Sequence, residues 1–325
     1  MWRNRMNHPA SSDKCVSFEL YPVDSLIDNS VTDFDLFVQV ADHSVLYSGP
    51  GYRWSRDELT GLLHGGHEHL RIRKSDLGKA KMYQACSKLP ALCRELAPVE
   101  RMKAIEEVGA KFSQYLFEGE LTDSCVAKAN QIAGDLTECV LEDPQSVLGL
   151  SDLIHHDLYT YHHSVRVSAY TVAIAVTMGV SDPVVLRDLA LGGIFHDIGK
   201  KQVPPTLLNK GGALTESEWA ILRSHPQAGY DDLKQSNLAI SAKEIILHHH
   251  EKRSGQGYPH GLDKNQLLPE VQIATLADIF DALTSARSYQ SRRSRFEALD
   301  FIKSKLLATD IWGDAFKALV GCLSS

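Results

Sequence analysis

The chain lacks several features that would assign it to a class at once. Its six cysteines, Cys15, Cys86, Cys93, Cys125, Cys139 and Cys322, never form a Cys-x-x-Cys pair. The spacing is wrong for a zinc site, and scattered thiols in a chain this long read as the reduced groups of a cytoplasmic protein. No apolar run approaches the ~20 residues of a membrane span; the most apolar window, 186–195, is broken by Arg187 and Asp188. No basic excess exists either. A net charge of −7 argues against coating a nucleic-acid polymer, which needs a basic face. The start, MWRNRMNHPASSDK, has no apolar core behind its basic residues, so 1–17 reads as a flexible tail rather than a secretory signal. No repeat or low-complexity tract is visible. What remains is ordinary and globular: 325 residues, 43% hydrophobic and 23% charged, long enough for two domains.

The expected class is α+β, with an N-terminal α/β module and a helical remainder. In 18–78, segments 34–40, 45–47 and 69–72 read as strands and Ser48–Gly51 as a turn. Ser55 should cap a short helix to His64, with Glu58 at the capping-box position and Gly65-Gly66 as the stop. His64, His67 and His69 read as solvated turn residues. From 79 to 148 the period becomes helical over 80–92, 99–117 and 121–141, with Pro90, Pro98 and Pro144 as punctuation. These read as structural helices linking the module to 149–325.

In that last segment ionisable residues recur inside apolar, helix-like sequence: His163, His196, Asp197, Lys200, His225, His249, His250 and Asp278. Taken singly, a histidine on an apolar helix is more often a satisfied core group than a ligand. Together, buried donors must pair or bind something, since each unpartnered one costs several kcal/mol. Imidazole with carboxylate suits Fe, Mn, Zn or Ni, and seven such donors exceed the four of one tetrahedral site, so two metals are expected. His196 and Asp197 adjoin at the end of a buried helix, where neighbours diverge by about 100°, so the doublet serves two directions. Lys200, on the face of Asp197, is placed to meet a phosphoryl oxygen. Thr215 should cap the next helix with Glu218 at N3, and His225 should fall near that helix's end. In the loop EKRSGQGYPHG, Gly255 and Gly257 permit close backbone approach to a ligand, and Tyr258-Pro259 offers an edge for a nucleobase. Asp278 and Asp281 share the helix over 271–284, and Arg287 beyond it could grip a phosphate. Segments 296–307 and 312–323 read as amphipathic closing helices.

The blocks HSVRV (163–167), HDIGK (196–200), HP (225–226), HHE-x-x-x-G-x-G-Y-P (249–259) and LADIFDALTSARSY (276–289) resemble, in family order, the HD-GYP phosphodiesterases that act on cyclic di-GMP. The resemblance covers roughly 150–310. It implies an all-α HD-type bundle with metal ligands His163, His196, Asp197, His225, His249, His250 and Asp278. It also implies catalytic roles for Asp197 and Lys200, substrate contacts from Lys200, Arg287, Gly257, Tyr258 and Pro259, and a GYP loop that meets a protein such as a diguanylate cyclase domain. The implied reaction is hydrolysis to pGpG, and then to GMP, by hydroxide activated between two divalent ions. Iron is the first choice and manganese the next, with nickel or zinc as further candidates.

The chain departs from the family pattern in three places. Tyr159 stands where three-metal members carry a glutamate, which favours two metals. Ser254 replaces an aspartate before the loop glycine, and Gln290 a basic residue after Arg287. These last two motivate an alternative, a module that keeps its metals but binds cyclic dinucleotide or protein partners without turnover. A nucleotidase acting on phosphomonoesters is a third reading, against which the complete GYP loop speaks.

Overall fold

The computed structural model describes residues 17–150, 159–285 and 293–324. Arg287, Gln290, His155, His156 and nearly all of the expected tail lie outside the described residues. The chain divides between Lys88 and Leu89 into two compact units.

The first unit contains strands β1 (Phe18–Pro22), β2 (Val31–Thr32), β3 (Leu36–Val40), β4 (His43–Ser48) and β5 (Tyr52–Arg53), helix α1 (Arg56–His64), β6 (His69–Arg73) and the start of α2 (Leu77–Glu95). Four strands form an antiparallel sheet in the order β1-β6-β3-β4, and β2 pairs with β5. In β6 the alternation of His69, Leu70, Arg71 and Ile72 sends Leu70 and Ile72 into a core with Phe34, Leu36, Trp54 and Tyr83. Ser55 caps α1 by accepting from the Glu58 backbone N–H, and Gly66 leaves the helix at φ +77°. His64 and His69 are exposed and His67 is half-buried, and none joins a metal-sized group of donors among the described residues. Pro90 does not punctuate the helix. It lies inside α2, which continues past it to Glu95.

The second unit is helical: α3 (Pro98–Glu118), α4 (Asp123–Glu142), α5 (Tyr159–Thr177), α6 (Pro183–Phe195), α7 (Pro205–Leu208), α8 (Glu216–Arg223), α9 (His225–Leu233), α10 (Ile240–His248), α11 (Pro269–Thr284), α12 (Arg295–Lys305) and α13 (Gly313–Leu323). Short 3₁₀ turns run over Pro144–Gly149 and Ile198–Gln202. Helices α3 and α4, read from sequence as links, are packed against α5 and α6 inside this unit. α5 is buried nearly all round, through Val165, Val167, Ala169, Val172 and Ala173, as a central helix must be. α6 approaches it closely because Gly193 carries no side chain. A Cβ there would lie 2.5 Å from the Ser168 Cα, and one at Gly192 would lie 2.7 Å from Ile245 on α10. This approach brings the end of α6 beside the start of α5. The described cysteines Cys86, Cys125, Cys139 and Cys322 are buried free thiols. No described helix is long and apolar enough to cross a membrane.

Candidate metal centre

Five elements deliver the donors. His163 comes from the first turns of α5, and His196 caps the C-terminus of α6. Asp197 follows in a non-helical conformation (φ −98°, ψ 4°) before the 3₁₀ turn. His225 opens α9 rather than closing α8. The chain breaks at Ser224, and Pro226 sits in the first turn of the new helix, where a missing N–H costs nothing. The Thr215–Glu218 capping box at the start of α8 is complete. His249 caps α10, His250 follows it, and Asp278 projects from the middle of α11.

These seven residues meet in two groups, His163 with His196 and Asp278, and Asp197 with His225, His249 and His250. Asp197 stands between them. Its Oδ2 lies 3.4 Å from His196 Nε2 and 3.7 Å from His163 Nε2, while its Oδ1 lies 3.2 Å from His225 Nε2 and 3.8 Å from His249 Nε2. Asp278 spans them as well, with Oδ1 3.1 Å from His163 Nε2 and Oδ2 3.7 Å from His250 Nδ1. The outward divergence expected of the His-Asp doublet is realised through a helix end, not through consecutive helical positions.

Hydrogen bonding fixes the histidine tautomers. His196 Nδ1 donates to the Gly193 carbonyl (2.7 Å), His225 Nδ1 to the Leu222 carbonyl (2.7 Å) and His249 Nδ1 to the Ile246 carbonyl (3.1 Å). A carbonyl only accepts, so each neutral ring presents an Nε2 lone pair to the interior. Yet His225 Nε2 faces His249 Nε2 at 3.3 Å, and His196 Nε2 faces His163 Nε2 at 3.3 Å. The buried Asp197 Oδ1 receives no hydrogen bond. Lone pairs converging on lone pairs in a buried site repel one another, and a cation relieves this. The donor set therefore fits two metal ions.

The electrostatics agree. Burial alone would raise the Asp197 carboxyl, but the Lys200 ammonium and His196 outweigh it and hold Asp197 well below the usual carboxylate range. Asp278 is held low in the same way, chiefly by His163. Burial, reinforced by its histidine neighbours, pushes His249 well down and His250 to about 3, so both rings are neutral and able to ligate at neutral pH. His196 goes the other way. Burial opposes its charging, but Asp197 and Asp278 prevail and raise its pKa, so a metal competes there with a proton. Lys200 Nζ lies 2.5 Å from Asp197 Oδ2.

Residues 150–308 match the family described as HD domain. Cyclic di-GMP phosphodiesterase PA4108 of Pseudomonas aeruginosa is 38% identical over 176 residues, which is 53% of this chain and 42% of that protein. The 3′3′-cGAMP-specific phosphodiesterase 3 of Vibrio cholerae is 36% identical over 168 residues, 51% of this chain and 36% of that one. The matches thus span about two fifths of these relatives' lengths. Bd1817, a solved HDG"Y"P protein of Bdellovibrio bacteriovorus, shares the fold with a TM-score of 0.64 at 19% identity, over 95% of this chain and 100% of that one.

The roles of several residues that hold these donors in place escaped sequence reasoning. Asp281, buried on α11, accepts from His163 Nδ1 (2.7 Å) and from Arg166 Nε (2.6 Å), and Arg166 reaches on to Glu106 of α3 (3.5 Å). The signal for Arg166 and Asp281 was present, since each lies three residues beyond a donor on its own helix. Glu106 gave none, because its partners are more than fifty positions away. Glu251 is buried and accepts from the backbone N–H groups of His260, Gly261 and Leu262, which anchors the GYP loop. Gly257 is needed for contact with the chain itself. A Cβ there would lie 2.4 Å from the Glu251 Cα, so the chain's own backbone already requires glycine. Tyr258 packs beside His250, with ring centroids 4.8 Å apart, and its peptide bond to Pro259 is cis. Ser254, the departure from the family pattern, donates to Asp310 at 2.7 Å.

Gly199, in HDIGK, is the tightest of these positions. A Cβ would sit 2.0 Å from the His225 carbonyl oxygen and 2.5 Å from the Gly229 nitrogen. Gly199→Ala is expected to push α9, and His225 with it, away from Asp197. It should destabilise the protein by about 2–3 kcal/mol, toward the upper end of overpacking costs. Thermal denaturation with a metal titration checks this, and wild-type values for both would exclude the close contact.

Proposed function

We propose that the HD domain is a metal-dependent phosphodiesterase that hydrolyses cyclic di-GMP to pGpG and then to GMP. The observation that carries this is the sharing of Asp197 between two converging donor groups beside a cleft that His249, His250 and Tyr258 help to line. His163, His196 and Asp278 would hold one ion and His225, His249 and His250 the other, with Asp197 between them. Nitrogen and oxygen donors without thiolate suit iron or manganese, with nickel or zinc as further candidates, and iron is put first because the family resemblance implies it. When bound, two divalent ions supply charge that polarises a phosphodiester and acidifies the attacking water.

The chain's own groups do the rest. Lys200, partnered by Asp197, presents an ammonium to a non-bridging phosphate oxygen and offsets charge that develops there. Asp281 and the backbone carbonyls of Gly193, Leu222 and Ile246 hold four histidines in the ligating tautomer. Arg287 is the proposed second phosphate contact. Glu251 fixes the GYP loop as one wall of the cleft, and the outer face of that loop is the proposed site for a protein partner such as a diguanylate cyclase domain.

The test is turnover by protein loaded with Mn or Fe under anaerobic conditions. Products should be resolved chromatographically across cyclic di-GMP, 3′3′-cGAMP, cyclic di-AMP and mononucleotides. Cyclic di-GMP should be converted fastest, with pGpG appearing before GMP. Tight binding without product would leave a binding module instead, and hydrolysis of mononucleotides alone would make it a nucleotidase.

A further inference from the structure

Beside the metal centre lies a cleft of about 330 Å³ lined by His249, His250, Lys252, Gln256, Tyr258 and Arg223. That is at the lower end of small-molecule sites, roughly 300–1,000 Å³. Two cations border it, and they differ. Lys252 is paired with Asp310 at 3.3 Å. Arg223, on the last turn of α8, has no carboxylate partner among the described residues. Its guanidinium instead lies over two rings, 5.2 Å from the Trp219 centroid and 5.8 Å from that of Tyr258.

Local sequence makes this arrangement. The Thr215–Glu218 capping box fixes the start of α8, and Trp219 and Arg223 are four residues apart on one side of the helix. One ring comes from the same helix and the other from the GYP loop, so the aromatic faces hold the guanidinium without consuming its N–H donors. A charged fork that is oriented, unpaired and on a cleft fits a bidentate oxyanion such as phosphate. Lys200 stands instead at Asp197, on the metal side. A cyclic dinucleotide carries two phosphates across one ring, so with one at the metal centre the other must be met elsewhere in the cleft.

We propose that Arg223, clamped between Trp219 and Tyr258, binds the non-scissile phosphate of a cyclic dinucleotide. The inference rests on the proposed function and deepens it: the site selects two-phosphate substrates over simple phosphodiesters.

The experiment uses the Mn-loaded full chain. Kinetics are measured on cyclic di-GMP and on bis(p-nitrophenyl) phosphate, which has a single phosphate, and cyclic di-GMP binding is measured by calorimetry. In Arg223→Ala, KM for cyclic di-GMP and its Kd should rise about ten- to hundredfold, the worth of a charged hydrogen-bonded contact, with a smaller change in kcat. Loss on bis(p-nitrophenyl) phosphate should be at least about tenfold less. Arg223→Lys should recover part of the affinity, and Trp219→Ala should weaken it less than Arg223→Ala. Melting temperature and metal content establish that the variants fold. Unchanged Kd in Arg223→Ala overturns the inference, as does an equal loss on both substrates. Wild-type protein that binds cyclic di-GMP but releases no product overturns the proposed reaction, and the calorimetric comparison then decides Arg223 separately. Wild-type protein that does not bind it overturns both.

Discussion

Asp197→Asn is expected to lower kcat/KM for the phosphodiester by at least about 10³-fold. Loss of a single electrostatic contact in a catalytic site costs about 10²–10³, and this carboxylate serves two donor groups at once. The substitution conserves shape and removes charge, so repacking is not the cause. Its effect on stability separates this reading from a structural one. Asp197 Oδ1 receives no hydrogen bond and faces the lone pair of His225 Nε2. An amide N–H in its place would donate to that nitrogen. That bond offsets part of what the loss of the Lys200 ion pair costs, so the metal-free variant should remain folded but melt below the wild type. The stabilisation that saturating metal gives the wild type, about 2.7 kcal/mol at a hundredfold excess over Kd, should disappear. Retention of both metals and of turnover would refute the shared-carboxylate centre.

Asp281→Ala should act on one half of the centre. It strips the nearest anion from Arg166, a buried guanidinium whose other described partners include the more distant Glu106 carboxylate and the Ser285 hydroxyl. Breaking such a buried pair from one side costs about 3–5 kcal/mol. His163 also loses the acceptor that keeps its proton on Nδ1, and removing an orienting partner of this kind typically weakens metal binding about 10–100-fold. Asp281→Asn, which preserves volume, should retain more stability and still lose affinity at the His163 group. In a metal titration the His225 group should fill as in the wild type while the other fills late. Equal weakening of both would show that Asp281 supports the fold at large.

Acid unfolding provides a second reading of the same residue. Burial alone would raise the Asp281 carboxyl, but Arg166 and His163 outweigh it and lower its pKa from 3.8 to about 2. A depressed carboxylate contributes stability that is complete above the unfolded value. That contribution is lost as pH falls from about 3.8 through about 2. The Asp281 variants should flatten the stability profile in this window and leave its neutral plateau merely lower.

The legible part of the fold was its local chemistry. The Ser55 N-cap, the Thr215 capping box, the glycine stop after His64, and the helices around His163 and Asp278 all follow from neighbours within a turn or two. Short-range rules misjudged two prolines for one reason, that context decides what a proline does. Pro90 is carried inside α2, and Pro226 begins a helix whose first residue is His225. The strands β1, β2 and β5 were not expected, because edge and two-residue strands carry little periodicity to read.

For the site, sequence determined which atoms were available: a run of imidazoles and carboxylates in apolar surroundings, too many for one ion. It could not apportion them. Division into a His163–His196–Asp278 group and an Asp197–His225–His249–His250 group depends on five elements meeting, and on glycines at 193 and 199 that let them meet. Nor could it place Glu106 behind Arg166 or Arg223 between two rings, since those contacts join residues far apart in the chain or exposed on its surface. Residue type and spacing fix local conformation because backbone hydrogen bonds reach only a few positions. Charge balance in a buried pocket is set by whatever the fold brings within a few ångströms, and that is a property of packing alone.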